Sequence, residues 1–181
     1  TGDATFWNKA ADDAVAIWLQ ARNPNTGLIA NEIKQDGSTN GPDVVDYNGC
    51  RIPWRAVLDY LWYGTSGAKD VAEKISAWVE SAGEENLGDG YNTDGTSNGN
   101  DWNRSECFTG GYATGAMAST QPRVDAFSAY FMSPIGVDNY YSESLRALYT
   151  LMLSGAMWKP GPAVTPPDGG TGGSGNGGTA G

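Results

Sequence analysis

Four carboxylates crowd one polar stretch of the chain, residues 28–47: Glu32, Asp36, Asp43 and Asp46. Tyr47, Asn48, Arg51, Trp54 and Arg55 follow directly. Carboxylates act as general acid and general base when a glycosidic bond is hydrolysed, and aromatic rings stack on the apolar faces of pyranose rings. The combination suits sugar hydrolysis. The same residues also fit a plainer account, in which the loop acids are solvated and Trp54 belongs to the core. Spacing alone leaves both open.

Three further places carry side chains of interest. Residues 84–106 are dense in Asp, Asn and Gly. They have donors for calcium but not the ligand spacing of an EF-hand, and they read as a long run of turns. Glu106 begins a helical segment, where the positive end of a helix favours a carboxylate, so it either caps that helix or faces a cleft. Tyr140 and Tyr141 open the last helical segment, where they line a groove or pack on the preceding loop. The chain has no histidine and two cysteines. That rules out Ser-His-Asp and Cys-His catalysis, and two cysteines alone cannot close a tetrahedral zinc site. No metal and no cofactor are expected. Cys50 and Cys107 are compatible with one disulfide or with two buried thiols.

The elements that position these residues follow from apolar spacing, which predicts an all-α fold of six helices and no run of alternating strands. Trp7, Ala11, Ala14 and Trp18 share one face of a helix near 5–22, stopped by Asn23-Pro24-Asn25-Thr26-Gly27. Trp54, Leu58 and Leu61 mark a second over about 48–63, with Pro53 in its first turn and Gly64 at its end. Val71, Ile75, Trp78 and Val79 mark a third, 67–82. A fourth, 107–118, is rich in Gly and Ala, which suits close backbone packing in a crowded centre. Val124, Phe127 and Phe131 mark a fifth, started by Thr120 and Pro122. Leu145, Leu148, Met152 and Leu153 mark a sixth, 140–155. The first, third and fifth carry charge, whereas the second, fourth and sixth are apolar or small. That alternation predicts stacked helical hairpins with one member inside and one outside. The two long polar loops both precede inner helices, so both are expected at one end, where loops build sites.

The net charge of −10 opposes binding to nucleic acid and to anionic membrane surfaces, and leaves neutral polymers such as polysaccharides as partners. No apolar run reaches membrane-spanning length. From Lys159 the sequence turns Pro-rich and then Gly/Ser/Thr-rich, the composition of a flexible linker. The expected organisation is a folded part over 1–158 and a linker over 159–181, with a further domain following it.

The run Tyr47-Asn48-Gly49-Cys50-Arg51-Ile52-Pro53-Trp54-Arg55, followed by Leu58-Asp59-Tyr60-Leu61-Trp62-Tyr63-Gly64, resembles the signature of glycoside hydrolase family 8. Four other stretches agree in order and spacing. They are Thr1-Gly2-Asp3 leading to Asn25-Thr26-Gly27-Leu28, Asp89-Gly90-Tyr91 with Gly95, Phe108 through Met117, and Tyr140 through Gly155. The resemblance implies an (α/α)6 barrel, of which these six helices form the C-terminal half. It implies a secreted, cofactor-free, inverting endo-β-glycanase acting on β-1,4-linked polysaccharide, cellulose or mixed-linkage β-glucan. It also implies that Tyr47, Arg51, Tyr140 and Tyr141 border the substrate.

Two departures from the family pattern bear on mechanism. The family's general acid is a glutamate in the N-terminal half of the barrel, which this chain does not include. Many members place an aspartate base directly after the signature tyrosine, where this chain has Asn48. An amide is no base, so the resemblance shifts that role to the preceding loop, first to Asp46, then to Asp43, then to Asp36 and Glu32, with Asn48 orienting the water. Asn48 equally motivates the alternative, a non-catalytic carbohydrate-binding or degenerate glycosidase-like domain. The isolated chain is expected to be inactive, and to fold poorly or self-associate through inner surfaces left uncovered.

Overall fold

The computed structural model describes residues 3–99, 104–133 and 139–161. Residues 162–181, most of the expected linker, lie outside the described residues. Six helices account for most of the rest: α1 (Ala4–Ala21), α2 (Ile52–Tyr63), α3 (Ser66–Ala82), α4 (Glu106–Gly115), α5 (Gln121–Met132) and α6 (Tyr140–Leu153). They match the sequence expectation closely, because each has a clear apolar face and a local stop or start. Asp3 caps α1 by accepting from the Phe6 amide at 3.0 Å, and Asn139 caps α6 by accepting from the Ser142 amide at 2.9 Å. Gly64 ends α2 with φ 77°, a left-handed conformation that a side chain would strain.

Two details differ from expectation. The stretch expected to open the second helix forms a 3₁₀ turn, Gly49–Arg51, and the α-helix begins only at Ile52. Two strands of two residues each, β1 (Val44–Val45) and β2 (Tyr91–Asn92), pair antiparallel with Val44 opposite Asn92 and Val45 opposite Tyr91. Two residues are too few to show an alternating pattern in sequence. That short ladder ties the two long polar loops together at one end of the helices, as their positions before inner helices predicted.

α4 is the centre. Every residue from Glu106 to Gly115 is buried. Its glycines let the flanking helices approach to backbone contact. A Cβ on Gly110 would run into the Tyr149 ring of α6, one on Gly111 into the Cys50 carbonyl oxygen, and one on Gly115 would stand 2.7 Å from Pro53 Cβ at the start of α2. α2, α4 and α6 therefore form the inner layer. α3 and α5 cover it from outside, α3 through Ala68, Val71, Ala72, Ile75 and Val79 and α5 through Phe127 and Phe131. α1 buries only Val15 fully and leaves Phe6 and Trp7 exposed. Cys50 and Cys107 form a disulfide with Cα atoms 5.8 Å apart, joining the 3₁₀ turn to the start of α4. Among the described residues no helix is long and apolar enough to cross a membrane.

Candidate active site

The segment between β1 and α2 is held by one amide side chain. Asn31 Oδ1 accepts from the backbone amides of Asp46 at 3.0 Å and Gly49 at 2.9 Å, while its Nδ2 donates to the Asp46 carboxylate. Arg51 closes the same loop from within. Its Nε and Nη2 donate to the Tyr47 carbonyl at 3.0 and 2.7 Å, and Nη2 also donates to Asn48 Oδ1 at 2.8 Å. Tyr47 turns outward and donates its hydroxyl to Asp89 Oδ2 at 2.9 Å. Its ring lies edge-on to Tyr141, which in turn donates its hydroxyl to Cys107 Sγ at 3.2 Å.

Two hollows meet at Arg51. One, about 430 Å³, is lined by Tyr47, Arg51, Asp89, Arg104, Ser105, Asn139, Tyr141 and Ser142. The other, about 320 Å³, is lined by Trp18, Ile29, Ala30, Asn31, Ile33, Asn48, Arg51, Ile52 and Arg55. They share the arginine. Asp46 lines neither hollow itself; it is bonded to Asn31 of the second, and its charge is felt by Tyr47 and Tyr141 of the first.

The ionisable groups divide by surroundings. Burial pushes Tyr141 upward, and the negative charges of Asp46 and Asp89 add to that against the opposing pull of Arg51. Burial of the Tyr47 hydroxyl, then the hydrogen bond and charge of Asp89, push its pKa up to about 12. Burial also raises Asp89, against the hydrogen bond from Tyr47 that favours its charged form. Asp36 is held low by the Ser38 hydroxyl and amide at 2.6 and 3.0 Å, the bonds of a local turn.

The structure thus brings together Asp46, Tyr47, Asn48, Arg51 and Tyr141. It separates the others. Asp43 accepts from the Thr93 hydroxyl at 2.7 Å and ties the two loops together away from both hollows. Glu32 accepts from Asn40 at 3.4 Å on the exposed loop. Tyr140 is 90% exposed and lines neither hollow. Trp54 packs on the core against Tyr149, as the plainer reading had it. Glu106 is wholly buried behind the site. Its Oε1 lies 3.8 Å from Arg146 Nη1, and neither oxygen has a hydrogen-bond partner among the described residues. Sequence reasoning missed Asn31, Asp89, Arg104 and Asn139 as site residues. For Asp89 the motif Asp89-Gly90-Tyr91 was visible, but nothing in it pointed to a tyrosine 42 residues away. Among the described residues no group of three or more acidic or cysteine side chains converges as a metal site.

Comparison with known proteins agrees with this geometry. The family model for glycosyl hydrolases family 8 matches residues 1–155. The chain is 28% identical over 178 residues to an endoglucanase of Bacillus sp., covering 90% of this chain and 38% of that protein. It is 30% identical over 155 residues to endoglucanase C of Ruminiclostridium cellulolyticum, covering 82% of this chain and 33% of that one. A GH8 xylobiose complex from Teredinibacter turnerae superposes with a TM-score of 0.71 at 27% identity, covering 85% of this chain and 40% of that chain. The chain therefore spans well under half the length of these relatives. With the family match running from the first residue through α6, and the helices stacked as inner and outer layers of part of an (α/α)6 barrel, the chain belongs to glycosyl hydrolases family 8.

Proposed function

We propose that this chain forms one side of the active-site cleft of an extracellular, inverting endo-β-glycanase that hydrolyses β-1,4-linked polysaccharide, cellulose or mixed-linkage β-glucan. One observation carries the proposal: Tyr47 and Arg51 of the signature segment line a hollow with Tyr141, and Asn31, which lines the adjoining hollow, holds the Asp46 carboxylate next to them. In this mechanism Asp46 is the general base. It takes a proton from a water that attacks the anomeric carbon from the face opposite the leaving group. Inverting hydrolysis places the acid roughly 6.5–9.5 Å from the base, so that the water fits between them. The acid is a glutamate outside this chain. Arg51 and Asn48 form one bonded pair at the floor and orient the sugar and the water. Tyr47 and Tyr141 give the sugar apolar ring faces. The 181-residue chain alone is inactive on this account, for want of the acid.

A second function, carbohydrate binding without hydrolysis, draws on Asn48, which holds the usual base position and is bound to Arg51. Reducing-end release from mixed-linkage β-glucan separates the two. The whole hydrolase releases reducing ends and loses that activity on Asp46→Asn, whereas a binding domain retains the glucan and releases nothing. Activity that survives Asp46→Asn, Asp43→Asn, Asp36→Asn and Glu32→Gln together would sink the proposed mechanism. Clear activity of the 181-residue chain alone would place the acid within it and overturn the missing-acid account.

A further inference from the structure

Asp89 borders the larger hollow, yet the hydrolysis described above gives it no part. It precedes β2 on the second polar loop and is 4% exposed. Its Oδ2 accepts the Tyr47 hydroxyl, and its Oδ1 has no hydrogen-bond partner among the described residues. Tyr47 is placed differently. Its ring is 43% exposed, and it meets Phe108 and Tyr141 only edge-on, with centroids 6.1 and 6.0 Å apart. Two edge contacts leave a half-exposed ring free to change rotamer. A hydrogen bond at its far end does not, because swinging the ring away would leave a buried carboxylate without its partner. A wall already in place spares an incoming sugar the entropy of ordering it.

We propose that Asp89 is a positioning residue of the carbohydrate cleft, clamping the Tyr47 ring from the second loop so that it stands as a fixed wall for a sugar ring; this rests on the carbohydrate function proposed above. The clamp also decides what Tyr47 offers chemically. Its hydroxyl proton is committed to Asp89, so the phenol oxygen presents only lone pairs to the cleft, and a sugar hydroxyl meeting it must donate. With its pKa near 12 the phenol stays neutral at the pH where glycosidases work. Tyr47 is thereby an acceptor and a stacking surface, not an acid.

A double-substitution cycle on the whole protein tests the clamp, with cellohexaose binding read by calorimetry. Tyr47→Phe and Asp89→Asn should each weaken binding about five- to tenfold, the loss of one hydrogen bond, and the double substitution should weaken it no further. Losses that multiply would overturn the clamp, since Asp89 would then act independently of Tyr47. A spectroscopic arm guards against a merely structural effect. The alkaline absorbance titration of Asp89→Asn should show one tyrosine moved down from about 12, absent when Tyr47→Phe is added. A Tyr47 titration unmoved by Asp89→Asn also overturns the proposal. If the unsubstituted protein binds neither cellohexaose nor xylohexaose, the carbohydrate function fails and this role with it, while the titration still shows whether Asp89 holds Tyr47.

Discussion

Asp46 and Asp43 stand three positions apart on one loop and differ in what holds them. Asn31, which lines one hollow, holds Asp46, whereas Thr93 draws Asp43 into a tie between loops. The proposed mechanism therefore expects Asp46→Asn to lower kcat of the whole hydrolase by roughly 10²–10⁴-fold, the usual worth of a general base. Asp43→Asn should act mainly on stability, with kcat changed by less than about tenfold, as one surface-loop hydrogen bond warrants. Steady-state kinetics on soluble β-glucan decides between them, and the reverse ranking would move the base to Asp43. Glu84 makes a second residue-level prediction. It is 7% exposed with no hydrogen-bond partner for Oε1 among the described residues, and burial pushes its pKa up to about 8 against the pull of Arg104. Between its ordinary value of 4.5 and about 8, the unfolded chain has released this proton and the folded chain keeps it. Stability therefore falls as pH rises through that window. Glu84→Gln should remove this slope and gain on the order of 2 kcal/mol at pH 8 after screening is allowed for. Urea melts at pH 5 and pH 8 check it.

Helix α4 shows why small residues sit in the fourth inner position. Gly111 faces the Cys50 carbonyl, which is backbone and cannot turn aside. Gly111→Ala is expected to destabilise by about 3 kcal/mol in denaturant melts, more than an ordinary overpacked side chain. Gly161→Ala, with nothing within contact distance, should be neutral and serves as control. The disulfide closes a separation of 57 residues between the 3₁₀ turn and α4. Loop-closure entropy assigns it about 4 kcal/mol, so Cys50→Ala with Cys107→Ala should lower the urea midpoint accordingly. Retention of the full midpoint would mean that packing around α4 alone holds the turn.

On the scale of the whole molecule, apolar surface is left uncovered. Phe6, Trp7, Leu61 and Tyr63 are each 47–60% exposed, and Trp158 is 78% exposed. Uncovered aromatic and aliphatic surface drives association. Sedimentation velocity of the 181-residue chain should show weight growing with concentration, and a monomer with a sharp cooperative melt would contradict this.

The helices and their order were determined by the sequence itself, because periodicity, caps and stop signals are local. The signature segment was legible for the same reason: Tyr47, Arg51 and Asp46 are neighbours in the chain before they are neighbours in space. Even the alternation of inner and outer helices was readable, most clearly at α4, where burial on all sides admits little charge and much glycine. The disulfide was left open in sequence and decided by packing, which brings Cys50 onto the start of α4. Tertiary structure alone decided how each loop acid is held. Asp46 and Asp43 look alike as sequence, and only the partners Asn31 and Thr93, contributed from elsewhere in the chain, part them. The Tyr47–Asp89 bond needed β1 to pair with β2, a ladder too short to announce itself in the pattern of residues.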